Sequence, residues 1–370
     1  MKKILVTGSE GFIGKNLIAE LRNRGYSYIF EFDRDTNRAL LDRYTKECDF
    51  VFHLAGVNRP QNEKEFMDGN FGFTSELLDL LIYHDNKAPV LITSSIHSDR
   101  DNPYGKSKKA GEELLLRYGK ERGVRVFVYR LHNVFGKWSR PNYNTVVATF
   151  CHNIARDMEI KVNDPETRLT LCYIDDVLEE FIRAMKGNPT CDANYCIVPV
   201  VHNIKLGELA QTIKQFRNSR KDLSVPNMND ELTKKLYSTY LSFLPPNDFS
   251  YDLKMNIDTR GSFTEFLRMA DKGQISINVS KPGITKGNHW HHTKNEKFLV
   301  VSGKGLIKFR NVESQEIIQY EVCGEKLQVI DIPTGYTHSI TNIGETDLVT
   351  VMWANELFNP ERSDTYFLEV

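Results

Sequence analysis

The segment DNPYGKSKK places Tyr104 and Lys108 four residues apart at the start of a helical pattern, so both side chains share one helix face. An ammonium beside a phenol favours the phenolate and brings a group with an ordinary pKa of about 10 towards neutral pH. Such a phenol can exchange a proton with a carbinol oxygen while hydride moves. Upstream, LITSSIHS offers Thr93, Ser94 and Ser95 as hydrogen-bond partners for that oxygen. The pattern suits carbonyl reduction, although YxxxK alone is also common on exposed helices.

A second group of reactive side chains lies far downstream. The stretch GNHWHHTKNEKF contains His289, His291, His292 and Glu296 within eight residues. On a strand, His289 and His291 share one face and His292 takes the other. DIPTGYTHSITN adds His338 on what is predicted to be a facing strand. Three imidazoles and one carboxylate suit zinc, iron, manganese or nickel, and a polar barrel lining without metal is the alternative.

The N-terminal TGSEGFIG supplies Gly8, Gly11 and Gly14 between a predicted strand and a predicted helix. Close backbone approach and free N–H groups at the helix start create a pyrophosphate site, whereas the alternative is an ordinary tight turn. Asp33 ends the next strand and could bind the ribose 2′-hydroxyl of NAD. Arg34 could instead bind the 2′-phosphate of NADP. These two residues leave both cofactors open, and either could be a solvated charge at a strand end.

The predicted secondary structure that positions these residues differs between the first and the last part of the chain. Apolar runs alternate with helical patterns through the first 200 residues, which predicts a doubly wound parallel sheet. Predicted strands are Lys3–Thr7, Tyr28–Phe32, Phe50–Leu54, Val90–Thr93 and Val124–Tyr129. Later runs such as QISINVS and KLQVIDIP are short and alternating, which predicts an antiparallel barrel or sandwich. The prolines of LPPND suit a linker, so the predicted domains are 1–245 and 255–370 with 246–254 between them.

Composition excludes several classes of partner. The chain has 370 residues and a formal net charge of −1, so no global field favours nucleic acid or an anionic membrane. No run is apolar enough for a membrane span, and the apolar stretch after MKK is too short for a signal peptide. The six cysteines form no CxxC, which is typical of reduced thiols in a cytoplasmic protein.

A series of motifs over about residues 1–240 resembles the extended short-chain dehydrogenase/reductase family. They are the glycine motif, HLAG at 53–56, the serine pair, Tyr104-x-x-x-Lys108 and the RxxNxFG of 130–136. The resemblance implies that Tyr104 is the acid/base, that Lys108 holds the nicotinamide ribose and that a serine, Ser95 before Ser94, binds the substrate oxygen. It places Asn133 near a nucleotide-sugar. The implied cofactor-binding residues are Gly8, Gly11, Phe12, Ile13, Gly14, Asp33, Arg34, Leu54, Ala55, Gly56, Tyr104 and Lys108.

The spacing before Tyr104 and two histidines near apolar runs bear on the substrate site that this resemblance implies. Only eight residues separate Ser95 from Tyr104, where many relatives carry a longer insert, so the substrate mouth is expected to be open. His53 and His132 lie on or beside apolar runs, and a structural role is expected for both.

The second group of residues resembles the cupin family over about residues 255–370. Gly283-x5-His289-x-His291-x4-Glu296-x6-Gly303 fits its first motif, and Pro333-x-Gly335-x-x-His338-x3-Asn342 fits the core of its second. An expected glycine before Pro333 is displaced. The resemblance implies a small β-barrel with His289, His291, Glu296 and His338 as metal ligands.

A reductase followed by a cupin, with the tail DTYFLEV, resembles bifunctional enzymes of capsular polysaccharide and O-antigen synthesis. That resemblance implies a homodimer in which a zinc cupin epimerises C3 of UDP-4-keto-2-acetamido-2,6-dideoxyhexose. The first domain then reduces C4 with NADPH to UDP-2-acetamido-2,6-dideoxy-L-talose, on the route to UDP-N-acetyl-L-fucosamine. Tyr336 is a candidate for substrate binding or proton transfer at C3, and Lys286 and Lys297 are other candidates for the base. The alternatives are a reductase whose cupin is a metal-stabilised dimerisation module, or a sugar-nucleotide sensor.

Overall fold

The structure is a computed structural model that describes residues 2–58, 60, 62–143, 145–192 and 194–370, with the side chain of Arg362 left out. The chain forms two compact units. The first comprises Met1–Gln215 and Asn229–Pro245, and the second comprises Phe216–Met228 and Pro246–Val370. The second unit thus includes a segment upstream of the predicted linker. The domain limits read from the sequence stay a prediction.

The first unit is built from β-strands and α-helices that alternate along the chain. Its strands are β1 (Ile4–Thr7), β2 (Ile29–Phe32), β3 (Phe50–His53), β4 (Val90–Ser95), β5 (Val126–Leu131), β6 (Asn133–Phe135), β7 (Arg168–Tyr173), β8 (Cys191–Asp192), β9 (Tyr195–Cys196) and β10 (His202–Lys205). The helices along the chain are α1 (Phe12–Asn23), α2 (Arg38–Glu47), α3 (Lys64–Met67), α4 (Phe73–Tyr83), α5 (Pro103–Arg122), α6 (Val146–Ile154), α7 (Ile174–Met185), α8 (Leu206–Asp222) and α9 (Glu231–Leu241). A π-helical turn, Asp68–Gly72, joins α3 to α4.

The main sheet has the strand order β2-β1-β3-β4-β5-β9-β8, and its first five strands pair in parallel. Both faces are covered, because alternate residues of each strand enter different apolar clusters. Ile4 and Val6 pack with α1 and α7, whereas Leu5 packs with α4 and α5. This confirms the predicted doubly wound parallel sheet, whose order reverses between β1 and β3. Ligand sites of such sheets lie beyond the carboxyl ends of these strands.

The second unit contains two antiparallel sheets. Its strands are β11 (Met255–Asp258), β12 (Gly261–Met269), β13 (Gly273–Ser280), β14 (Thr285–Trp290), β15 (Glu296–Ser302), β16 (Lys304–Asn311), β17 (Ile317–Cys323), β18 (Val329–Ile332), β19 (Tyr336–Asn342), β20 (Leu348–Ala354) and β21 (Tyr366–Phe367). One sheet has the order β11-β12-β13-β20-β15-β18 and the other β17-β16-β19-β14-β21. All of these pairings are antiparallel, which confirms the predicted all-β fold.

An apolar cluster fills part of the second unit, with contributions from both sheets. Phe298 and Val300 of β15 pack with Ile307 and Phe309 of β16 and with Ile340 of β19. Alternation along β15 and β16 turns these residues inward, as a two-layer β architecture requires. Within the described residues of the whole chain, no helix combines the length and apolar character needed to span a bilayer.

Candidate functional site

The glycine motif forms the turn between β1 and α1. Gly8 has φ of +71°, and a Cβ at Gly8 would lie 2.7 Å from the backbone nitrogen of Ala55. A Cβ at Gly14 would lie 2.1 Å from the Gly8 carbonyl oxygen. Side chains are therefore excluded, and the backbone is left open to a ligand at the start of α1. Gly11 caps α1, and within the described chain no side chain accepts from its first N–H groups. This cradle fits the pyrophosphate of a dinucleotide.

Asp33 and Arg34 follow β2 beside the same turn. The Asp33 carboxylate accepts from the backbone N–H of Glu10 at 2.8 Å and of Arg34 at 2.7 Å. It therefore also fixes the glycine turn, in addition to any contact with a ribose. The Arg34 side chain is exposed. The structure thus brings the acidic and basic candidates to one edge of the cradle.

Other predicted cofactor residues surround the turn. Leu54 donates its backbone N–H to the Thr7 carbonyl at 3.1 Å, which joins the end of β3 to the end of β1. Ala55 and Gly56 follow at the carboxyl edge of the sheet. Phe12 and Ile13 are half-buried and pack against the apolar cluster beneath α1. Their side chains support the helix start from below, and their backbone N–H groups lie at the N-terminus of α1.

Tyr104 and Lys108 lie in the first two turns of α5. The helix begins cleanly, because Asn102 accepts from the Gly105 N–H at 2.8 Å and Pro103 occupies the first helical position. The Lys108 ammonium donates to the Thr93 carbonyl at 3.3 Å. Burial lowers the pKa of Lys108 to about 8, against the opposing effect of Glu112. The two side chains therefore face the end of β4, as the helical spacing predicts.

The pKa of Tyr104 differs from the sequence expectation. Burial raises it above its ordinary value, and the nearby Ser95 hydroxyl lowers it only in part. The predicted depression by a neighbouring ammonium is not found in this structure, since desolvation of the phenolate is the larger effect. The Tyr104 side chain is thus a neutral phenol at neutral pH, and its ring centroid lies 5.7 Å from that of Phe66.

The structure separates the two candidate serines. Ser94 donates to Oε1 of the buried Glu112 at 2.5 Å, and Glu112 also accepts from Arg130 at 2.7 Å and 3.0 Å. Ser95 is the serine whose hydroxyl lowers the pKa of the Tyr104 phenol, and its Oγ accepts from the His97 N–H at 3.1 Å. Alternation along β4 explains the difference, because adjacent residues face opposite sides of a strand. The geometry therefore favours Ser95 as the partner of Tyr104 in substrate binding.

Asn70, in the π-helical turn, was missed by the sequence interpretation. Its carboxamide accepts from Val57 N–H at 2.9 Å and donates to the Val57 carbonyl at 3.1 Å and to Ser107 Oγ at 3.0 Å. A Cβ added at Gly56 would lie 2.9 Å from both Asn70 Oδ1 and Lys108 Nζ. Asn70 thus lies beside the ammonium. Local π turns often occur at functional sites, but the sequence alone does not reveal one here.

Three further polar residues lie near the carboxyl ends of β3 and β5. His53 is buried between the hydroxyls of Thr7 and Thr74 at 2.7 Å and 2.9 Å, and burial lowers its pKa to about 3. Such a neutral, satisfied imidazole is structural. His132 is partly buried, and burial lowers its pKa as well. Asn133 is exposed and donates to the Thr170 carbonyl at 3.2 Å, which holds its amide at the surface of the smaller sheet.

In the second unit, the structure brings His289, His291, Glu296 and His338 together. One potential ligand atom from each lies within 4.8 Å of the others. His289 on β14 pairs directly with His338 on β19, after a bulge that follows Gly287. His292 turns away and packs between Trp290 and Tyr366, with ring centroids 4.5 Å and 4.9 Å away.

The cluster is chemically incomplete on its own. His291 Nε2, Glu296 Oε2 and His338 Nε2 are buried, and none has a hydrogen-bond partner among the described residues. Glu296 Oε2 lies 3.7 Å from His291 Nε2 and 3.4 Å from His338 Nε2. Buried polar atoms without partners are rare in native proteins and call for an ion or water. The donor set and its convergence therefore fit a divalent cation.

Electrostatics favour the protonation states that a metal requires. Burial lowers the pKa of His289 to about 4, with further lowering by the nearby His338 and His291. Burial would raise the pKa of Glu296, but the two imidazoles and the Lys294 ammonium outweigh it and hold that pKa far below its usual range. Lys294 Nζ donates to Glu296 Oε1 at 2.9 Å. Neutral imidazole and ionised carboxylate are the ligand forms.

The three candidates for proton transfer at C3 lie in different settings. Lys286 on β14 donates to Asn278 Oδ1 at 2.8 Å and to the Val279 carbonyl at 2.9 Å, and burial lowers its pKa. Lys297 pairs with Asp331 and, next to Glu296 on β15, faces the opposite side of the sheet from the cluster. Tyr336 starts β19 and packs against the apolar cluster of the second unit.

Comparison with known proteins agrees with this division. Residues 4–194 match the NAD dependent epimerase/dehydratase family, and residues 256–366 match the polysaccharide biosynthesis C-terminal domain. A UDP-2-acetamido-2,6-beta-L-arabino-hexul-4-ose reductase from Pseudomonas aeruginosa is 47% identical over 370 residues, which is 100% of this chain and 99% of the relative.

Solved structures give the same result. The capsular polysaccharide assembling protein CapF from Staphylococcus aureus is 54% identical, and its crystal structure superposes with a TM-score of 0.95 over 100% of both chains. A UDP-glucose 4-epimerase from Thermotoga maritima is 20% identical with a TM-score of 0.55, and covers 65% of this chain and 98% of its own. That likeness shows the fold alone. The chain therefore belongs to the NAD dependent epimerase/dehydratase family, and it continues into a polysaccharide biosynthesis C-terminal domain.

Proposed function

We propose that the chain is a bifunctional nucleotide-sugar enzyme acting on UDP-4-keto-2-acetamido-2,6-dideoxyhexose. The second unit epimerises C3, and the first unit reduces the C4 ketone with NADPH to UDP-2-acetamido-2,6-dideoxy-L-talose, on the route to UDP-N-acetyl-L-fucosamine. The observation that carries this proposal is the presence of two separate sets of reactive groups, one suited to a ketone and its hydride donor and one suited to a metal ion. The name of the Pseudomonas reductase supports the choice of substrate.

In the first unit, Tyr104 acts as the general acid. Its phenol has an ordinary pKa of about 10 and is protonated at neutral pH, and burial raises that pKa further, so it can donate as the ketone oxygen gains charge. Ser95, whose hydroxyl lies near enough to lower the pKa of the phenol, would donate a second hydrogen bond to the substrate oxygen. A nicotinamide bound along the glycine cradle supplies the hydride. Lys108 contributes positive charge beneath this site, where its ammonium donates to the Thr93 carbonyl.

The proposed choice of NADPH over NADH rests on Arg34. Asp33 already accepts two backbone N–H groups, so its carboxylate is partly committed to the turn. Arg34 is exposed next to it and can bind a 2′-phosphate. The nicotinamide cofactor itself follows from the family.

In the second unit, His289, His291, Glu296 and His338 would hold Zn²⁺. A bound cation of this kind polarises a ketone and so acidifies the neighbouring carbon. Lys286 and Tyr336 are the stronger candidates for moving the C3 proton, because Lys297 faces away from the cluster. A carboxylate and three neutral imidazoles leave one net positive charge with Zn²⁺, which favours a developing enolate.

The two activities can be tested separately in the full-length protein. Tyr104→Phe should lower NADPH oxidation by about 10²- to 10⁴-fold and leave deuterium incorporation at C3 intact. His289→Ala should remove the incorporation while NADPH still binds. Products are followed by mass spectrometry in deuterated water. Loss of both activities in a folded Tyr104→Phe protein would contradict the assignment of two sites.

A second candidate function is that the β unit is a metal-stabilised dimerisation module and the reductase alone is catalytic. It is favoured by exposed apolar side chains on β17, where Ile317, Ile318 and Tyr320 are 46%, 39% and 47% exposed. Such a row suits pairing with a second copy. A homodimer is part of both proposals, so light scattering alone does not separate them. A protein that keeps its C4 reduction and lacks any C3 exchange with Zn²⁺ bound would favour this candidate.

A further inference from the structure

Asp364, in the C-terminal tail, holds the turn between β14 and β15. These two strands carry His289 and Glu296 of the metal cluster, and the turn itself carries His291. Its Oδ1 accepts from the His292 N–H at 2.9 Å. Its Oδ2 accepts from the N–H groups of Thr293 at 2.7 Å and Lys294 at 2.8 Å, and from Thr293 Oγ1 at 3.0 Å. One carboxylate thus satisfies three consecutive backbone donors, which fixes the path of the chain from β14 to β15.

The backbone of Asp364 has a second role. Its carbonyl accepts a hydrogen bond from His291 Nδ1 at 2.5 Å. Because a carbonyl oxygen only accepts, the proton of the neutral imidazole lies on Nδ1 and the lone pair lies on Nε2. That Nε2 is the buried atom without a partner that faces Glu296 and His338. Asp364 therefore sets both the tautomer and the orientation of one candidate ligand.

The rest of the tail is anchored to the same strands. Strand β21 pairs with β14, with Phe367 opposite His289 and Tyr366 opposite Trp290. Leu368 donates its N–H to the Asn288 carbonyl at 3.0 Å and accepts from Thr337, the neighbour of His338. The tail adds a strand beside β14, and the Asp364 contacts lie at the end of this strand nearest the cluster.

We propose that Asp364 is a positioning residue of the metal site and that the C-terminal tail sets the affinity of the site for its cation. This inference rests on the metal site proposed above. Charge-assisted hydrogen bonds to three N–H groups order the turn between β14 and β15 before the ion binds. The conformational entropy cost of ordering that turn is therefore not subtracted from the free energy of metal binding. Groups that orient metal ligands in this way typically change metal affinity by about 10- to 100-fold when they are removed.

The state of Asp364 supports such a role. An aspartate with its ordinary pKa of about 3.9 is ionised at neutral pH, and the three backbone N–H groups of His292, Thr293 and Lys294 stabilise that charged form further. The group therefore stays ionised at neutral pH, and the hydrogen bonds stay charge-assisted.

The test uses full-length protein stripped of metal. Zn²⁺ is titrated against a chromophoric chelator, and the visible spectrum of Co²⁺ reports the coordination of the site. Asp364→Ala should weaken Zn²⁺ binding by about 10- to 100-fold and alter the Co²⁺ spectrum. Asp364→Asn keeps one oxygen for the Thr293 and Lys294 donors and loses the acceptor for His292, so its affinity should fall between those of Asp364→Ala and the wild type. Glu369→Ala is the matched control, since Glu369 is an exposed carboxylate of the same tail.

The outcomes are distinguishable. Failure of the wild-type protein to bind Zn²⁺ would overturn the metal site itself, and the positioning role with it. Wild-type binding together with unchanged affinity and spectrum in Asp364→Ala would overturn the positioning role alone. If Asp364→Ala does not fold, Asp364→Asn decides in its place, and wild-type affinity in that variant counts against the proposal. Weakening by Glu369→Ala of the same size would make the effect a general one of tail charge and would also overturn it.

Discussion

The two candidate sites differ in how far the protein satisfies its own polar groups. Around Tyr104 the reactive groups lie beside polar groups of the fold, since the Ser95 hydroxyl lowers the pKa of the phenol and Lys108 donates to the Thr93 carbonyl. Around Glu296 several buried atoms converge without partners. The polar groups of a site whose cofactor binds and dissociates in each turnover are therefore paired before binding. The polar groups of a site for a permanently bound ion are paired only when the ion binds. The following predictions test this contrast.

The largest effect is expected from Glu112, which anchors the first site. Its buried carboxylate accepts from Ser94 and from two nitrogens of Arg130. Glu112→Ala leaves the largely buried Arg130 charge without this partner and should lower the free energy of unfolding by about 3–5 kcal/mol. Urea unfolding of the first unit measures this, with Glu112→Gln as the control that keeps shape and one acceptor. A loss below about 1 kcal/mol would mean that the first site does not depend on internal pairing.

Next in size is the pH dependence caused by Lys108. Its pKa is lowered from 10.5 to about 8 in the folded protein, so the unfolded chain binds more protons between those values. Stability should therefore rise with pH through that window, and below about pH 8 the buried charge destabilises the fold by at most about 3 kcal/mol. Lys108→Met should lack this rise. Unfolding free energies of both proteins are compared from pH 7 to 10, and parallel curves would contradict the assignment.

A comparable but more local effect is expected from zinc. If the ion completes the second site, free Zn²⁺ at about 100 times Kd should stabilise the second unit by about 2.7 kcal/mol. Hydrogen exchange of β14, β15 and β19 measures this, with the first unit as an internal reference. His338→Ala should abolish the protection and His292→Ala, outside the cluster, should not. Equal protection of both units would show that the ion acts elsewhere.

The parts of the two sites that the sequence predicted are those in which spacing alone determines proximity. Gly8 to Gly14, Tyr104 with Lys108, and His289 with His291 lie within one turn or one strand. His338 required only the pairing of β14 with β19, which motif spacing implied. The all-β fold and the parallel sheet followed from hydrophobic periodicity, since alternation and continuous apolar runs have different burial requirements.

The contacts that were missed depend on distant pairing. In the sequence, Glu112 is one of several charged residues of a helix that looks exposed. Only the packing of α5 against β4 and β5 buries its carboxylate. Asn70 lies in an ordinary helical pattern in the sequence, and only the π turn directs its amide to Val57 and Ser107. Asp364 is 71 residues from Thr293, and nothing local signals that it reaches there. To choose between Ser94 and Ser95, one must know which residues of β4 point to which face of the sheet. A shift of one residue reverses that assignment.

The smallest effect is expected at the outer edge of the first site. There the difference between the two sites in how their polar groups are paired is smallest. Arg34 is exposed beside the turn fixed by Asp33, so its contribution to a 2′-phosphate is screened by solvent. Arg34→Ala should raise the KM for NADPH by about tenfold, which is about 1.4 kcal/mol, and leave the KM for NADH unchanged. Steady-state kinetics with both cofactors measure this, and NADH is the control within the same protein. Asp33 keeps its two backbone hydrogen bonds in the variant. An equal rise in KM for both cofactors would therefore mean that Arg34 supports the turn and does not bind the 2′-phosphate.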